Sequence, residues 1–455
     1  MDRRRLLEQA ASDVASDRLD EAETRYRLML QSVPDDAEAL SNLAALQNLA
    51  ERHLEAEVTC RSALQRQPGY WAALSNLGVA LHRQQRHEEG IAAYIAALRA
   101  NNSDVNACTN LAVAFNEQWR MPESLLVHDA ALDLAPSNPT VRANRAMALL
   151  IAGDYQQGFA EFEWRWQAPG ITPHGLTAPL WDGSDPAGKV ILVHDEGGFG
   201  DTLQFVRYVP MLIEYGAKVL LQVQSPLLRL MRQSFPSIAH NIIARGDWPP
   251  PHDLHCPTIS LARCFKTTLA TVPGQTPYLT ADASRISLWK SRLGTQTGEG
   301  PRIGLVWAGS PRHGMSIVHA MDRRRSIPPA LFNDLANING VRFVSLQLGA
   351  NPADFPAGLK PFDSMGEMTD FADTADLVAN LDLVISVDTA VAHLAGALGR
   401  PVWLLSRFDA CWRWLAGRQD SPWYPQMRVF RQSSPGDWAG VLTEVAIELQ
   451  RLYQA

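Results

Sequence analysis

A 34-residue spacing in the first third of the chain limits what it can fold into more than any other feature. Pro34, Pro68 and Pro136 stand one and two such periods apart, with Asn102 where the missing proline would fall. The same ruler aligns Ala10, Ala44, Gly78, Ala112 and Ala146, and a second small set at Ala22, Ala56, Gly90, Ser124 and Gly158. Small residues recurring at two points of each period mark where paired helices approach closely. Leu43, Leu77 and Leu111 beside the first set, and Tyr26, Tyr94 and Phe162 beyond the second, give each helix a buried stripe. Self-similarity at this period predicts stacked helix pairs, each covering its neighbour's apolar face.

These columns resemble the consensus of the tetratricopeptide (TPR) repeat over about five repeats, which predicts a superhelix with a concave groove. Asn42, Asn76, Asn110 and Asn144 occupy one column of it. A primary amide carries a donor and an acceptor, so a ladder of them can hold an extended peptide through its backbone. The column is similar to the asparagine ladder of the TPR-containing O-GlcNAc transferases; bonding of each amide to nearby helix backbone is the alternative use. The array ends in the aromatic run 158–166 and a Pro/Gly-rich stretch, placing the first domain at 1–168.

At 455 residues the chain exceeds what one core supports, so further domains are expected. Net charge is −7 and the basic residues are dispersed apart from Arg323, Arg324 and Arg325, which disfavours nucleic acid as a partner. Five scattered cysteines without a C-x-x-C pair argue against a disulfide framework and a zinc site. No apolar run approaches membrane-spanning length and no signal-peptide core follows Met1, so a cytoplasmic protein without a transmembrane segment is expected.

Beyond the array the pattern becomes short β-branched runs alternating with helical ones, the signature of parallel α/β sheets. Strands are predicted at 189–194 and 218–223 with helices at 202–215 and 226–234, then a less regular part to about 280. A Gly/Thr-rich stretch at 294–300 is predicted to be a linker. Strands at 302–307, 341–347, 382–387 and 401–405 and helices at 329–338, 370–381, 390–398 and 438–453 follow. The expected architecture is thus α plus α/β, with two Rossmann-like lobes at 169–290 and 291–455. Their strand ends face a cleft suited to two substrates.

Three segments carry the chemistry. In the first, a buried strand ends at Asp388-Thr389 and a helix of small residues follows at once, so free amides and the positive end of the dipole meet any ligand above the strand. Thr389 adds a hydroxyl, and His393 lies one turn on; Asp388 as a helix cap and His393 as a core residue are the alternatives. In the second, Gly197, Gly198 and Gly200 form a tight turn before Asp201, without the G-x-G-x-x-G spacing of a nicotinamide site. Asp201 either caps the following helix or serves as a base, with Glu196 and His194 in reserve. In the third, a strand runs into Gly309-Ser310, with His313 and the arginine run beyond; arginine can bind phosphate bidentately, and Arg325 is the favoured member. Gln347 ends a neighbouring strand. Trp412, Trp414 and the 421–425 segment offer aromatic surfaces suited to stacking or to core packing. No D-x-D pair is placed as a metal site.

The run 383–403 resembles the D-T-x-x-x-H-L-A-x-A-L-G-x-P motif of the ADP-heptosyltransferase-like (family 9) glycosyltransferases, and the region 180–432 resembles bacterial TPR-fused transferases distantly related to them, including those proposed to O-glycosylate flagellin. The resemblance implies a GT-B fold and inverting, metal-independent transfer from a nucleotide-sugar, with no other cofactor. It implies Asp201 as the base, and Ser310, Arg325, Gln347, Asp388, Thr389 and His393 around the donor. The family's usual lysine near Ser310 is missing, since no lysine stands between Lys290 and Lys360. The expected acceptor is Ser/Thr of a protein such as flagellin held in the TPR groove; a lipopolysaccharide or other glycan acceptor, or a non-catalytic scaffold, are the alternatives.

Overall fold

The computed structural model describes residues 3–168, 175–309, 322–349, 359, 361–409 and 411–453. It divides into two compact units, one of residues 1–149 and 164–171, the other of 150–163 and 172–455.

The first unit is a run of helices: α1 (Arg3–Ala15), α2 (Leu19–Ser32), α3 (Ala37–Leu49), α4 (His53–Arg66), α5 (Trp71–Arg83), α6 (His87–Ala100), α7 (Val105–Glu117), α8 (Met121–Leu134) and α9 (Pro139–Ala152). The odd-numbered helices begin 34 residues apart, as do the even-numbered ones. Both small-residue columns explain this. A Cβ on Gly78 would lie 2.5 Å from the ring of buried Tyr94, and one on Gly90 would lie 3.1 Å from the Gly78 carbonyl. Where the column holds Ser124, its hydroxyl donates to the Ala112 carbonyl at 2.8 Å, so a polar atom is tolerated at full burial. Asp36, Asp104 and Asn138 cap the helices that follow them.

The turns inside the helix pairs hold Asp17, Glu51, Gln85 and Trp119 at φ of 58°, 59°, 65° and 60°. Each is a left-handed residue without being glycine, at a cost of about 1 kcal/mol apiece. Only Gly153, at the fifth such turn, is the residue type this conformation favours.

The second unit opens with α10 (Tyr155–Phe162) and holds two parallel sheets. The first has strand order β3-β2-β1-β4, with β1 (Val190–His194), β2 (Lys218–Val223), β3 (Ile242–Ala244) and β4 (Leu254–Pro257). The second has order β10-β9-β8-β5-β6-β7, with β5 (Arg302–Val306), β6 (Arg342–Ser345), β7 (Phe362–Asp363), β8 (Leu383–Val387), β9 (Val402–Ser406) and β10 (Met427–Arg431). Their helices are α11 (Phe199–Phe205), α12 (Val209–Glu214), α13 (Leu228–Ser234), α14 (Ser260–Cys264), α15 (Ala283–Thr297), α16 (Phe371–Val378), α17 (Ala390–Ala397) and α18 (Trp438–Tyr453). Central β8 and β9 are buried along their whole length, as expected of strands covered on both faces.

Four local expectations are corrected. The helix predicted at 202–215 is α11, a 3₁₀ turn at Val206–Tyr208 and α12, because Pro210 lacks the N–H and crowds the carbonyl four residues back. The helix predicted at 329–338 is a 3₁₀ run, Pro329–Asn337; buried Phe332, Leu335 and Ile338 recur every three residues, the 3₁₀ period. The linker predicted at 294–300 is largely the end of α15, whose Gly294 stays helical; the chain turns only at Gly298 and Gly300, with φ of 76° and 124°. The irregular stretch before 280 contains β3 and β4.

Candidate active site

In the second sheet the chain leaves β5 toward β6 and β7 on one side, while β8, β9 and β10 build out on the other. Connections diverge between β5 and β8, and a crevice at the carboxyl ends of these two strands is where such sheets take ligands. The residues there are Trp307 to Gly309 after β5 and Asp388-Thr389 after β8. Arg325 reaches this point: its Nη1 donates to the Asp388 carbonyl at 2.9 Å and its Nε to Asp322 Oδ1 at 2.9 Å. Gly309 makes room for it, since a Cβ there would collide with both Asp322 and Arg325. Gln347 serves the same edge: its buried Oε1 accepts from the amides of Trp307 at 3.1 Å and Ala308 at 2.9 Å. Its acceptor is therefore committed to shaping the end of β5. Ser310 and His313 lie outside the described residues.

Thr389 stands at the N-cap of α17, where no side chain caps the helix; its hydroxyl pairs with Ser386 Oγ at 3.1 Å. The first amides of α17 and the positive dipole end thus face the crevice beside partly exposed Asp388 and Thr389. His393 is placed differently from a ligand-facing group. It is 4% exposed, its Nδ1 meets the Tyr424 hydroxyl at 2.9 Å, and its ring lies against Trp414. Burial holds its pKa well below the usual imidazole value, so the ring is neutral. Trp414, Trp423 and Tyr424 are likewise fully buried and pack the core.

The first sheet has its own point of divergence between β1 and β4, and the glycine-rich turn follows β1. Gly197 has φ 69°, and a Cβ there would strike the Asp201 carboxylate. Asp201 sits in the first turn of α11: its Oδ2 accepts from the Gly198 amide at 2.7 Å, while Oδ1 is paired with Arg413 of the other lobe. Its side chain retains 25% exposure. The two lobes also meet where Gly200 packs on His393, with 2.9 Å between a notional Cβ and the ring. The reserve bases are engaged elsewhere. His194 Nε2 meets His255 Nδ1 at 3.1 Å, and Glu196 accepts from the Ile259 amide at 2.9 Å.

Sequence reasoning passes over two arginines. In the sequence Arg413 is only a member of an aromatic run, although its guanidinium reaches Asp201, Gln204 and the Cys411 sulfur. Arg207 is buried with no carboxylate partner among the described residues and donates to the carbonyls of Gln204, Pro273 and Trp423 and to the Tyr278 hydroxyl. Arginine amid tryptophans and tyrosines is the signal both leave in the sequence.

A separate hollow of about 530 Å³, lined by Trp181, Tyr215, Phe265 and Lys266 among others, lies near the amino ends of β1 and β2, away from their carboxyl ends. In the helical unit the asparagine column divides. Asn42 bonds the Tyr26 hydroxyl, and the Asn76 amide donates to Ser41 O at 2.9 Å and Ser41 Oγ at 3.1 Å. For Asn110 and Asn144 no side-chain hydrogen bond to another described residue is seen. Among the described residues one trio of metal-ligating types gathers, His82, His87 and Glu117, also in the helical unit. It forms a hydrogen-bond chain, 2.7 Å from His82 to Glu117 and 3.2 Å from His82 to His87. This repeats the Asn48–His53 contact of 3.3 Å one period earlier.

Repeated helix pairs and two parallel sheets with a crevice at β5 and β8 define a TPR array joined to a Rossmann-like α/β domain. Residues 357–405, which include β8 and α17, match glycosyltransferase family 9 (heptosyltransferase). The chain is 28% identical over 335 residues to the protein FlbA of Caulobacter vibrioides, covering 67% of this chain. It spans about half of that relative, 54% of its length. Among solved structures, a thermophilic TPR protein of Thermus thermophilus is 21% identical with a TM-score of 0.34, covering 37% of this chain and 92% of that one. PilF of Pseudomonas aeruginosa is 19% identical with a TM-score of 0.34, covering 37% and 78%. The helix pairs that recur every 34 residues are of the TPR type, and the 357–405 segment is similar to the family 9 glycosyltransferases. No helix among the described residues is long and apolar enough to cross a membrane.

Proposed function

We propose that the chain is a GT-B glycosyltransferase that moves a sugar from a nucleotide-sugar to a hydroxyl acceptor with inversion and without a metal. The observation that carries this reading is the convergence of Arg325, the uncapped start of α17 and Thr389 at one crevice. An anionic diphosphate is the ligand such donors suit. Asp201, partly exposed after the glycine turn of the other lobe, is the candidate base. In the reaction it takes the acceptor proton as the acceptor oxygen bonds the anomeric carbon. The bond from that carbon to the diphosphate oxygen breaks, and the charge left on the nucleotide falls to Arg325, the α17 amides and the Thr389 hydroxyl. His393, neutral and enclosed, shapes the floor of this region.

The acceptor we favour is Ser/Thr of a polypeptide such as flagellin, carried by the TPR groove in the cytoplasm. Asn110 and Asn144 support this, because their side chains make no hydrogen bond to another described residue and so can meet a peptide backbone. Incubating the protein with a panel of UDP-, GDP-, ADP- and CMP-sugars and purified flagellin, followed by intact-mass analysis, tests the reading. Addition of one glycosyl mass, lost in Asp201→Asn, is expected. Transfer to a glycan alone would move the acceptor assignment, and no transfer with any donor would end the enzyme reading.

A further inference from the structure

Asp201 is held from two sides. Its Oδ2 is fixed by the Gly198 amide within its own lobe, and its Oδ1 by the guanidinium of Arg413 from the other. Arg413 follows Cys411-Trp412, far from Asp201 in sequence, and its side chain is 11% exposed. Each of its three nitrogens is engaged: Nη2 donates to Asp201, Nε to Gln204 Oε1 on α11 and Nη1 to Cys411 Sγ at 3.1 Å. Its Cζ lies 4.4 Å above the Trp412 ring, a cation–π contact that holds the plane of the fork. Two bonds therefore run from one side chain to two residues of α11 three positions apart, which fixes rotation as well as distance. A lysine could supply the charge but not this paired geometry.

Among the described residues the other ionisable groups that interact with the pair include Cys411, Asp388, His393 and Tyr155. Burial keeps the Cys411 thiol protonated and the His393 ring neutral. Asp388 interacts with Arg413 at longer range. Among the described residues Arg413 is thus the cation in direct contact with Asp201. Each carboxylate oxygen accepts more than one hydrogen bond, so the pairing leaves acceptor sites open to a substrate hydroxyl.

We infer that Arg413 is a positioning residue for the Asp201 base: it holds the carboxylate in place at the cleft, and does so only while the two lobes are docked. This rests on the proposed role of Asp201. It separates the function of Arg413 from that of Arg325, which lies at the donor end and touches the Asp388 carbonyl.

The test compares Asp201→Asn, Arg413→Gln and Arg413→Lys with the wild type, using the nucleotide-sugar selected from the panel above and following nucleotide release over pH 4 to 9. For R413Q the expected result is a fall in kcat of about 100-fold with the donor KM within threefold, because a base out of place slows only the chemical step. R413K should restore only part of kcat, because it returns the charge without the paired geometry. A normal circular dichroism spectrum shows that each variant is folded, and should R413Q not fold, R413K still tests the geometry through its kcat. An R413Q profile superimposable on the wild type, or a loss expressed mainly as a higher donor KM, overturns the positioning role. Full activity in D201N refutes the base itself, and the inference with it; inactive D201N with an unmoved R413Q profile refutes the positioning role alone.

Discussion

Gly200→Ala probes the contact between the lobes at its tightest point. Gly200 is the second residue of α11 and does not have a positive φ, so the backbone accepts alanine without strain. Alanine is the better helix former by about 1 kcal/mol or less near a helix end. The obstacle is one ring: the new Cβ would lie 2.9 Å from His393 Cδ2, about 0.5 Å inside the 3.4 Å at which ordinary contact begins. His393 cannot retreat, being enclosed by Trp414 and Tyr424, so the lobes must part by roughly that amount. Overpacking of this kind costs about 1–3 kcal/mol, which the helix gain partly offsets. Melting should thus drop by only a few degrees. The same half-ångström falls between Asp201 on α11 and Arg413 opposite, where displacements approaching 1 Å cost up to about 100-fold in rate. Initial rates of nucleotide release should fall about 10- to 100-fold at saturating donor, and His393→Ala in the same chain should recover part of the loss by removing the ring. Wild-type kcat in G200A, or a double variant no better than the single one, would refute the reasoning.

The remaining predictions concern stability. Asn76→Ala should lower the stability of the helical unit by about 1 kcal/mol through loss of the bonds to Ser41, while Asn110→Ala and Asn144→Ala leave melting unchanged and weaken peptide binding in a fluorescence-anisotropy titration. His128, fully enclosed in that unit, has its pKa brought down to about 4 by burial. Unfolded chains bind its proton below the ordinary value of about 6.5 and the folded one does not. Stability is therefore complete above that pH and falls toward pH 4 by about 1.4 kcal/mol per unit. Replacement by Gln should flatten thermal melts across that window, and an unchanged slope counts against the assignment. Arg285→Ala should cost about 2–4 kcal/mol by chemical denaturation, because it leaves the wholly buried Asp376 carboxylate without its cation; a neutral effect would show that the Asp282 amide alone satisfies it.

Much of the fold is legible in the sequence because its determinants are local. The 34-residue columns are contact points, so spacing in the sequence is spacing in space, and Gly78 against Tyr94 is a direct instance. What stays hidden is set by conformation without composition: Asp17, Glu51, Gln85 and Trp119 adopt a left-handed turn that none of their side chains announces. β3 and β4 escape because three- and four-residue strands carry too few residues for a pattern. The 3₁₀ run at Pro329–Asn337 reads as α because a period of three differs little from 3.6 over three apolar residues.

The candidate site divides along the same line. Asp388 and Thr389 stand at the end of one strand, and Asp201 in the helix turn that follows another, both marked clearly by the sequence, so local reading places them at a sheet edge. What each side chain does there is settled by partners from other segments. His393 follows Thr389 by one turn and still turns into Trp414 and Tyr424. Gln347 spends its acceptor on β5, and Arg325 crosses to Asp388 only because Gly309 leaves the space. Arg413 is the extreme case, since the carboxylate and the amide oxygen it binds both lie on α11, on the other lobe. If Asp201 acts as the base, its competence depends on a contact between lobes, so docking of the lobes and alignment of the base are a single event. A cleft opened to exchange nucleotide would then hold a carboxylate without its partner, free to turn. Catalysis would be confined to the closed arrangement without any further switch.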